Sequence, residues 1–423
     1  MYKFQLKKFP NGLRLLMVPS KESLSFQITA LVNTGADFEI KNLNGISHFL
    51  EHMCFKGTKK RPTNFDISKE LDRVGGIYNA FTGREYTGYF VRVAKEYQKL
   101  AIDLVADIYL NSQFPEDEIN KERGVIIEEI NMYHDDPKAY VDELWTRLLY
   151  GNQPAGWSIA GAKTNIKRVR RKDFLNYHDQ QYRSQSTLIV ISGNFKEKEV
   201  ISLIREAFAL IPKGRGKNKI KAKEKQKQPN LILEKRAIDQ THIILGTRGI
   251  NLFDKRRYTL NVFDAILSGG MSSRLFQLVR GKLGAAYYID SGIEAKTDVG
   301  SWAIMAGLDS NRVELILKEI LKEWSSFKRL LVSSHEIKKA QEYIVGHLAL
   351  AFEDVHQVAS LYSTQLLLKN KIETYQEYLK QIKKVTPSDI RKVANDLLKA
   401  QYLNLAVVGP HPHQSQLKKL LII

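Results

Sequence analysis

The sequence predicts an α+β fold made of two homologous domains, in each of which long α-helices pack against one face of an antiparallel-rich β-sheet. Two observations predict this class. Short runs of alternating apolar and polar residues, typical of strands, are interleaved with long runs of helical periodicity. The same succession of segments also occurs twice along the 423 residues, which indicates an internal duplication.

The strands and helices of the two halves correspond in order. A strand, a glycine, a polar turn and an apolar helix follow one another around Gly35 and again around Gly249. The helix that begins at Glu118 has its counterpart at Glu336, and the strand from Thr187 has its counterpart at Leu403. The offsets are all about 214 to 218 positions. We therefore predict a first domain over 1–212, a linker over 213–228 and a second domain over 229–423.

The charge of the chain is strongly positive and unevenly distributed. Its formal net charge is +19, and its densest basic run, residues 213–227, has neither aromatic residues nor apolar periodicity. Such a run is typical of a solvated linker rather than of a base-stacking surface. No nucleic-acid partner is therefore expected.

The amino-terminal residues predict a β-hairpin on either side of Asn11-Gly12, because apolar and polar residues alternate there. No apolar run approaches the length of a signal sequence or a membrane span, so we expect a cytoplasmic protein without a membrane partner. The single cysteine, Cys54, fits a reducing compartment and is interpreted as a small core residue rather than a metal ligand.

A metal-binding motif is present near the amino terminus in the run Ile46 to Phe55. At 100° per residue, His48, Glu51 and His52 share one helix face, while the surrounding residues are apolar. Two imidazoles and a carboxylate are costly to bury unless something binds them. Histidines four residues apart can bind one Zn²⁺, and the intervening glutamate can accept a proton from water. This is the inverted form of the HExxH zinc motif. The corresponding stretch of the second half lacks it, so only the first domain is expected to bind metal.

A third protein ligand is expected on the acidic helix predicted over 114–133, since catalytic zinc usually has three. Glu122 and Glu129 fall on the half-buried side of this helix, whereas Glu128 points away from its apolar stripe. Helical geometry therefore favours Glu122 or Glu129 and does not choose between them.

These residues resemble the pitrilysin or inverzincin family of zinc metallopeptidases, above all its short branch, which includes the β subunit of mitochondrial processing peptidase and bacterial relatives. The resemblance extends over nearly the whole chain. In that family a glutamate 77 positions after the second histidine is the third ligand, which is Glu129 here. The resemblance thus implies one Zn²⁺ per chain on His48, His52 and Glu129, Glu51 as general base, and Glu122 as an acidic residue beside the catalytic site.

Two further segments carry the resemblance. Residues 75–82 resemble the edge strand on which family members bind the substrate backbone, which implies substrate-binding roles for Asn79, Ala80 and Thr82. In the second half, Arg280 and Tyr287 match an arginine and a tyrosine that reach the substrate in the family. The sequence departs from the family pattern at neighbouring positions, not at these two.

The resemblance implies a zinc metalloendopeptidase that hydrolyses peptides or unfolded segments. Long family members join two such halves into a chamber, and this chain has the length of one, so we expect a homodimer or a heterodimer with a related half-length subunit. In such a dimer Arg280 and Tyr287 would serve the partner's zinc site. The alternative is a non-catalytic structural or substrate-presenting subunit, which the presence of all the ligand residues disfavours.

Overall fold

The chain contains two β-sheets and a large set of α-helices. The structure is a computed structural model that describes residues 2–411 and 414–423. Its strands are β1 (Gln5–Lys8), β2 (Arg14–Pro19), β3 (Ser25–Val32), β4 (Ile77–Thr82), β5 (Thr87–Ala94), β6 (Thr187–Gly193), β7 (Asn230–Lys235), β8 (Gln240–Arg248), β9 (Ala286–Ala295), β10 (Gly300–Asp309) and β11 (Leu403–Gly409). Its α-helices are α1 (Ile46–Met53), α2 (Asn64–Asp72), α3 (Gln98–Leu110), α4 (Glu116–Asp135), α5 (Pro137–Tyr150), α6 (Lys163–Ile166), α7 (Arg171–Gln181), α8 (Glu197–Ala207), α9 (Arg257–Ser268), α10 (Val313–Arg329), α11 (Ser334–Ala351), α12 (Val355–Lys369), α13 (Tyr375–Ile382), α14 (Pro387–Leu397) and α15 (Gln414–Lys419). A π-helical segment occupies Phe276–Lys282.

The two sheets have the same topology. The first has the strand order β1-β2-β6-β3-β5-β4 and the second the order β7-β11-β8-β10-β9. One pair in each sheet is parallel, β2 with β6 and β7 with β11, and the other pairs are antiparallel. The second order equals the first without β1, which confirms the predicted duplication and the α+β class. β1 and β2 form the predicted hairpin, with Gly12 at a φ of 92°.

The helices cover both faces of each sheet, whereas the sequence predicted helices on one face only. On one face of the first sheet, α1, α3, α7 and α8 contribute to the main core of that unit. The opposite face is covered by α12, whose residues Val358 and Tyr362 belong to a second cluster with Leu16 and Val190 of the sheet. In the second sheet α5 has the same position, with Leu144 clustering with strand residues.

These two helices make the compact units discontinuous in sequence. One unit comprises the described residues up to Asn131, with Trp157–Ile220 and Leu350–Ile372. The other comprises Met132–Gly156, Lys221–Ala349 and the described residues from Glu373 onward. The predicted domains 1–212 and 229–423 therefore need correction at two segments, 132–156 and 350–372, which pack with the other half of the chain. The periodicity of an amphipathic helix shows that it has an apolar face, but not which sheet that face covers.

The sequence predicted a solvated basic linker, but part of this linker packs against the first unit. No strand or helix occurs among residues 213–228, all of which are described. The side chain of Lys219 is only 11% exposed, and its Nζ lies 2.7 Å from Glu85 Oε1 and 3.6 Å from the buried Asp37. Part of the positive charge thus neutralises acidic groups of the first unit.

Among the helices in the described part of the chain, none combines the length and the apolar composition that a membrane crossing requires.

His356 is a buried titratable group in the first unit. It lies on α12 and is 6% exposed. Its Nε2 lies 2.8 Å from Ser25 Oγ and its Nδ1 lies 2.7 Å from Ser192 Oγ. Burial, together with the charge of Arg92, lowers the pKa of His356 from 6.5 to about 4. The histidine therefore stays neutral in the folded unit at pH values where the unfolded chain binds a proton.

We expect His356 to weaken this unit under acidic conditions. Well above pH 6.5 the imidazole of His356 is neutral in both the folded and the unfolded chain. As the pH falls from 6.5 towards 4, mainly the unfolded chain gains a proton at this residue. The free energy of unfolding therefore decreases by up to ~3 kcal/mol. The variant His356→Gln should lose this part of the pH dependence when thermal unfolding is compared at pH 7 and pH 5. His335→Gln, at an exposed histidine, is the control and should behave like the unmodified protein. An unchanged acid sensitivity in His356→Gln would contradict this assignment.

Candidate metal centre

The predicted motif lies on α1, and its three polar side chains share one face of this helix. The rings of His48 and His52 lie 4.7 Å apart, one turn from each other. Phe49, Leu50 and Met53 on the other sides are fully buried in the core of the first unit. Packing of its apolar residues fixes the orientation of α1, so its three polar side chains point in the same direction.

A buried glutamate holds the start of this helix. Glu39 is 1% exposed; its Oε2 accepts from the Gly45 N–H at 2.8 Å and the Asn44 side-chain amide at 2.9 Å, and its Oε1 accepts from the Ser47 N–H at 2.8 Å. The first N–H groups of a helix have no partner within the helix, so a carboxylate there stabilises it. Burial raises the pKa of Glu39 to about 7, although these hydrogen bonds act in the opposite direction. Glu39 thereby fixes the start of α1, directly before His48.

The acidic helix α4 brings two carboxylates to the histidines, in different ways. Glu122 Oε1 lies 2.8 Å from His52 Nδ1, a hydrogen-bond distance. Glu129 Oε2 lies 3.5 Å from His48 Nε2 and 3.7 Å from His52 Nε2. Glu128 is exposed and contacts Asn131 instead. Of the two glutamates that helical geometry left open, Glu129 faces the converging ring nitrogens, and Glu122 contacts the outer nitrogen of one ring.

The distances between these atoms fit a zinc ion. Within the described residues, His48, His52 and Glu129 form a group whose ligand atoms all lie within 4.8 Å of one another. Atoms that bind one tetrahedral zinc at ~2.1 Å are separated by roughly 3.4 Å, close to the 3.5 and 3.7 Å found here. Two imidazoles and one carboxylate are a donor set typical of catalytic zinc, with a fourth position left for water or substrate.

The protonation states of the two histidines are set by different surroundings. Burial, with a smaller effect from the charge of His52, lowers the pKa of His48 to about 4, so its ring is neutral at physiological pH. Burial acts to lower the pKa of His52 as well, but the bond to Glu122 and the nearby carboxylates outweigh it and raise that pKa. A metal-bound histidine commonly donates its other N–H to a carboxylate. The contact of His52 with Glu122 has this form and leaves Nε2 facing Glu129.

Glu51 is oriented by a hydroxyl group on the neighbouring strand. Thr82, at the end of β4, donates a 2.6 Å hydrogen bond from Oγ1 to Glu51 Oε2. Burial raises the pKa of Glu51, and the Thr82 bond opposes this shift. A carboxylate with a raised pKa is a more effective proton acceptor near neutral pH. Thr82, expected to contact substrate, therefore has a contact within the site that the sequence did not predict.

Strand β4 forms the edge of the first sheet next to α1. It pairs with β5 on one side and is the last strand in the sheet order. The N–H of Ala80 donates to the Asn79 side-chain oxygen at 2.8 Å, and Asn79 is exposed. An edge strand can pair with an extended peptide through its backbone groups. The structure thus places Asn79 and Ala80 on a sheet edge, as the family resemblance implied.

Arg280 and Tyr287 belong to the other compact unit. Arg280 lies in the π-helical segment Phe276–Lys282, is exposed, and its guanidinium carbon is 5.3 Å from the centre of the Phe276 ring. Tyr287, near the start of the edge strand β9, has 63% of its surface exposed. Both side chains are therefore accessible within their own unit. Their predicted contact with substrate remains a prediction.

Two residues of this centre were not identified from the sequence. Glu39 lies outside any α-helix, and its role depends on a turn that brings it back to α1. Lys56 follows α1, and its Nζ lies 2.5 Å from Glu122 Oε2. The i, i+4 spacing from His52 to Lys56 was a signal that could have identified the lysine, since it would place both residues on one side if the helix continued.

Known proteins show similarity to both halves of the chain. Residues 18–163 match the insulinase family (peptidase family M16), and residues 168–344 match the peptidase M16 inactive domain. The cluster of His48, His52 and Glu129 lies in the first matched segment, together with the helices α1 and α4 that carry it.

Relatives of this chain carry the name zinc protease. The uncharacterized zinc protease YmxG of Bacillus subtilis (strain 168) is 32% identical over 400 residues, which are 95% of this chain and 97% of that relative. An uncharacterized zinc protease of Rickettsia bellii (strain RML369-C) is 33% identical over 411 residues, 96% of this chain and 98% of that relative. A solved structure described as a protease from Helicobacter pylori has a TM-score of 0.90 at 23% identity, covering 97% of this chain and 100% of that one, and supports the fold.

The similarity in sequence therefore extends over nearly the whole length of this chain and of its relatives, and it includes the segment in which His48, His52 and Glu129 converge. This chain belongs to the insulinase family, peptidase family M16.

Proposed function

We propose that this chain is a zinc-dependent endopeptidase that binds one Zn²⁺ through His48, His52 and Glu129. The observation that carries the proposal is the convergence of these three side chains beside Glu51, which Thr82 orients. Relatives named zinc proteases, with more than 30% identity, support it. We place the protein in the cytoplasm, where its single cysteine fits the reducing conditions.

In this proposal Glu51 transfers the protons. Zn²⁺ in such a site polarises the substrate carbonyl and makes a water molecule more acidic. Glu51, held by Thr82 and with a raised pKa, accepts the proton of the attacking water and delivers it to the departing amine. Glu122 keeps the His52 ring in orientation through Nδ1. Two acidic groups thus have separate tasks within one small site.

The outer edge of β4 supplies the substrate site. A peptide that adds as an extended strand would pair with the backbone around Asn79 and Ala80, close to Thr82 and hence to Glu51. Backbone pairing requires an extended segment of the substrate and depends little on its side chains. We therefore propose peptides or unfolded segments as substrates, not folded proteins.

In this proposal the active site is complete only in a dimer. The partner is a second copy of this chain or a related half-length subunit. Arg280 and Tyr287 are exposed in their unit and offer a cation and a phenol. Such groups stabilise the negative charge that develops on a peptide carbonyl oxygen. We propose that these two residues act on substrate held at the zinc site of the partner subunit.

Removal of zinc should abolish peptide hydrolysis and its return should restore it. The purified protein, dialysed against a chelator, is assayed with an internally quenched casein-derived peptide before and after addition of one equivalent of Zn²⁺. We expect a loss of at least about 100-fold and a recovery that saturates near one Zn²⁺ per chain, because the metal supplies the carbonyl polarisation. The mass of the zinc-loaded protein, measured in the same preparation, reports whether it is a dimer.

The rival function is that of a non-catalytic structural or substrate-presenting subunit of the same family. The observation that favours it is the match of residues 168–344 to a domain described as inactive. Stoichiometric zinc binding without cleavage of any peptide in a mixed peptide library would support that rival. Cleavage that persists in the chelated protein would refute the zinc mechanism.

A further inference from the structure

Lys56 lies directly beyond the helix that carries the histidines. Helix α1 ends at Met53, and the chain continues in a turn in which the Lys56 N–H donates to the Met53 carbonyl oxygen at 3.2 Å. Gly57 follows with a φ of 132°, a conformation that favours glycine, and a Cβ there would collide with the Pro62 carbonyl oxygen. The turn after α1 is therefore tightly determined, and with it the origin of the Lys56 side chain.

The ammonium group of Lys56 binds the carboxylate that orients His52. Its Nζ lies 2.5 Å from Glu122 Oε2, while Glu122 Oε1 lies 2.8 Å from His52 Nδ1. The side chain of Glu122 is 7% exposed and that of Lys56 is 21% exposed, so water competes little for either group. Each oxygen of Glu122 thus has its own partner, and the three side chains form a continuous chain from Lys56 to the metal centre.

This arrangement separates the roles of two chemically identical residues on one helix. Glu122 and Glu129 both lie on α4 and both face the histidines. Within the part of the chain that the structure describes, only Glu129 joins His48 and His52 in a group of ligand atoms close enough to bind one metal ion. A carboxylate released from Lys56 would be free to turn one oxygen towards a nearby cation. The contact with Lys56 instead occupies the one oxygen of Glu122 that His52 does not bind.

We propose that Lys56 is a positioning residue for the zinc site: by binding Glu122 Oε2, it holds Glu122 as the hydrogen-bond acceptor of His52 and keeps it from becoming a competing ligand. This role rests on the proposed zinc function. It affects the affinity and the geometry of the site, since Lys56 binds Glu122 and acts on the ligand His52 only through that carboxylate.

The test measures zinc affinity directly, by competition with a chromophoric chelator, without any peptide. Lys56→Met should weaken zinc binding by about tenfold, in the range found when partners of metal ligands are removed. Lys56→Arg, which keeps a cation near Glu122, should restore affinity to within about threefold of that of the unmodified protein. Lys59→Met, at an exposed lysine three residues away, is the control and should leave the affinity unchanged.

A double-mutant cycle distinguishes positioning from a general loss of stability. If Lys56 acts through Glu122, the variant with both Lys56→Met and Glu122→Gln should bind zinc as weakly as Glu122→Gln alone, instead of showing the product of two losses. Additive losses, or unchanged affinity in Lys56→Met, would overturn the proposal. Failure of the unmodified protein to bind zinc would instead refute the proposed function, so the two failures are distinguishable.

Discussion

Replacement of Glu51 by glutamine is expected to abolish hydrolysis while zinc remains bound. Glutamine keeps the size of the side chain and an oxygen that accepts the Thr82 hydroxyl bond, but it cannot take a proton from water. Loss of a general base typically lowers the rate by ~10²–10⁴-fold. The kcat of Glu51→Gln on a quenched peptide should decrease by that factor, with zinc content and KM close to those of the unmodified protein.

The control for this experiment is Glu118→Gln, at a glutamate of α4 whose carboxylate binds Lys121 at 2.6 Å and does not belong to the metal cluster. Its activity should equal that of the unmodified protein. Cleavage by Glu51→Gln at the unmodified rate would assign the proton transfer to another group. Loss of zinc from Glu51→Gln would show that the carboxylate supports the metal rather than the reaction.

The sequence predicted the arrangement within each element better than the arrangement between elements. The shared face of His48, Glu51 and His52 follows from helical spacing alone, and α1 has that face. Helical spacing on α4 could only bring Glu122 and Glu129 to the same side. Which glutamate contacts the Nε2 atoms of the histidines and which contacts Nδ1 of His52 depends on where α4 lies relative to α1. Sequence periodicity does not determine this tertiary arrangement.

Most of the contacts that the sequence did not predict are made by loops and by the helices α5 and α12, which pack with the other half of the chain. Glu39 and Lys56 act from either side of α1 through turns, whose geometry depends on positions such as Gly45 and Gly57. The assignment of α5 and α12 to the opposite units also depends on long-range packing. The internal duplication, in contrast, was visible because each half repeats its strands in the same order, and the two sheets reproduce that order.

Glu129 and Glu122 should differ sharply in their effect on zinc. In Glu129→Gln the site loses its anionic ligand, so zinc affinity should decrease by more than ~100-fold, and activity should be lost with it. In Glu122→Gln both ligating nitrogens and Glu129 remain, while His52 loses the carboxylate that orients it. The expected loss of affinity is ~10-fold to 100-fold, as for other partners of metal ligands.

The adjacent residue provides the matched control, since Glu128 is exposed and contacts Asn131 rather than the histidines. Glu128→Gln should bind zinc as the unmodified protein does. Competition with a chelator ranks the three variants on one scale, and the melting temperature of each zinc-free variant shows whether α4 is intact. Full zinc occupancy in Glu129→Gln together with a severe loss of zinc in Glu122→Gln would show that Glu122, not Glu129, is the ligand. The order expected from the structure arises because one carboxylate faces the space between the two Nε2 atoms, whereas the other is bound between His52 Nδ1 and Lys56.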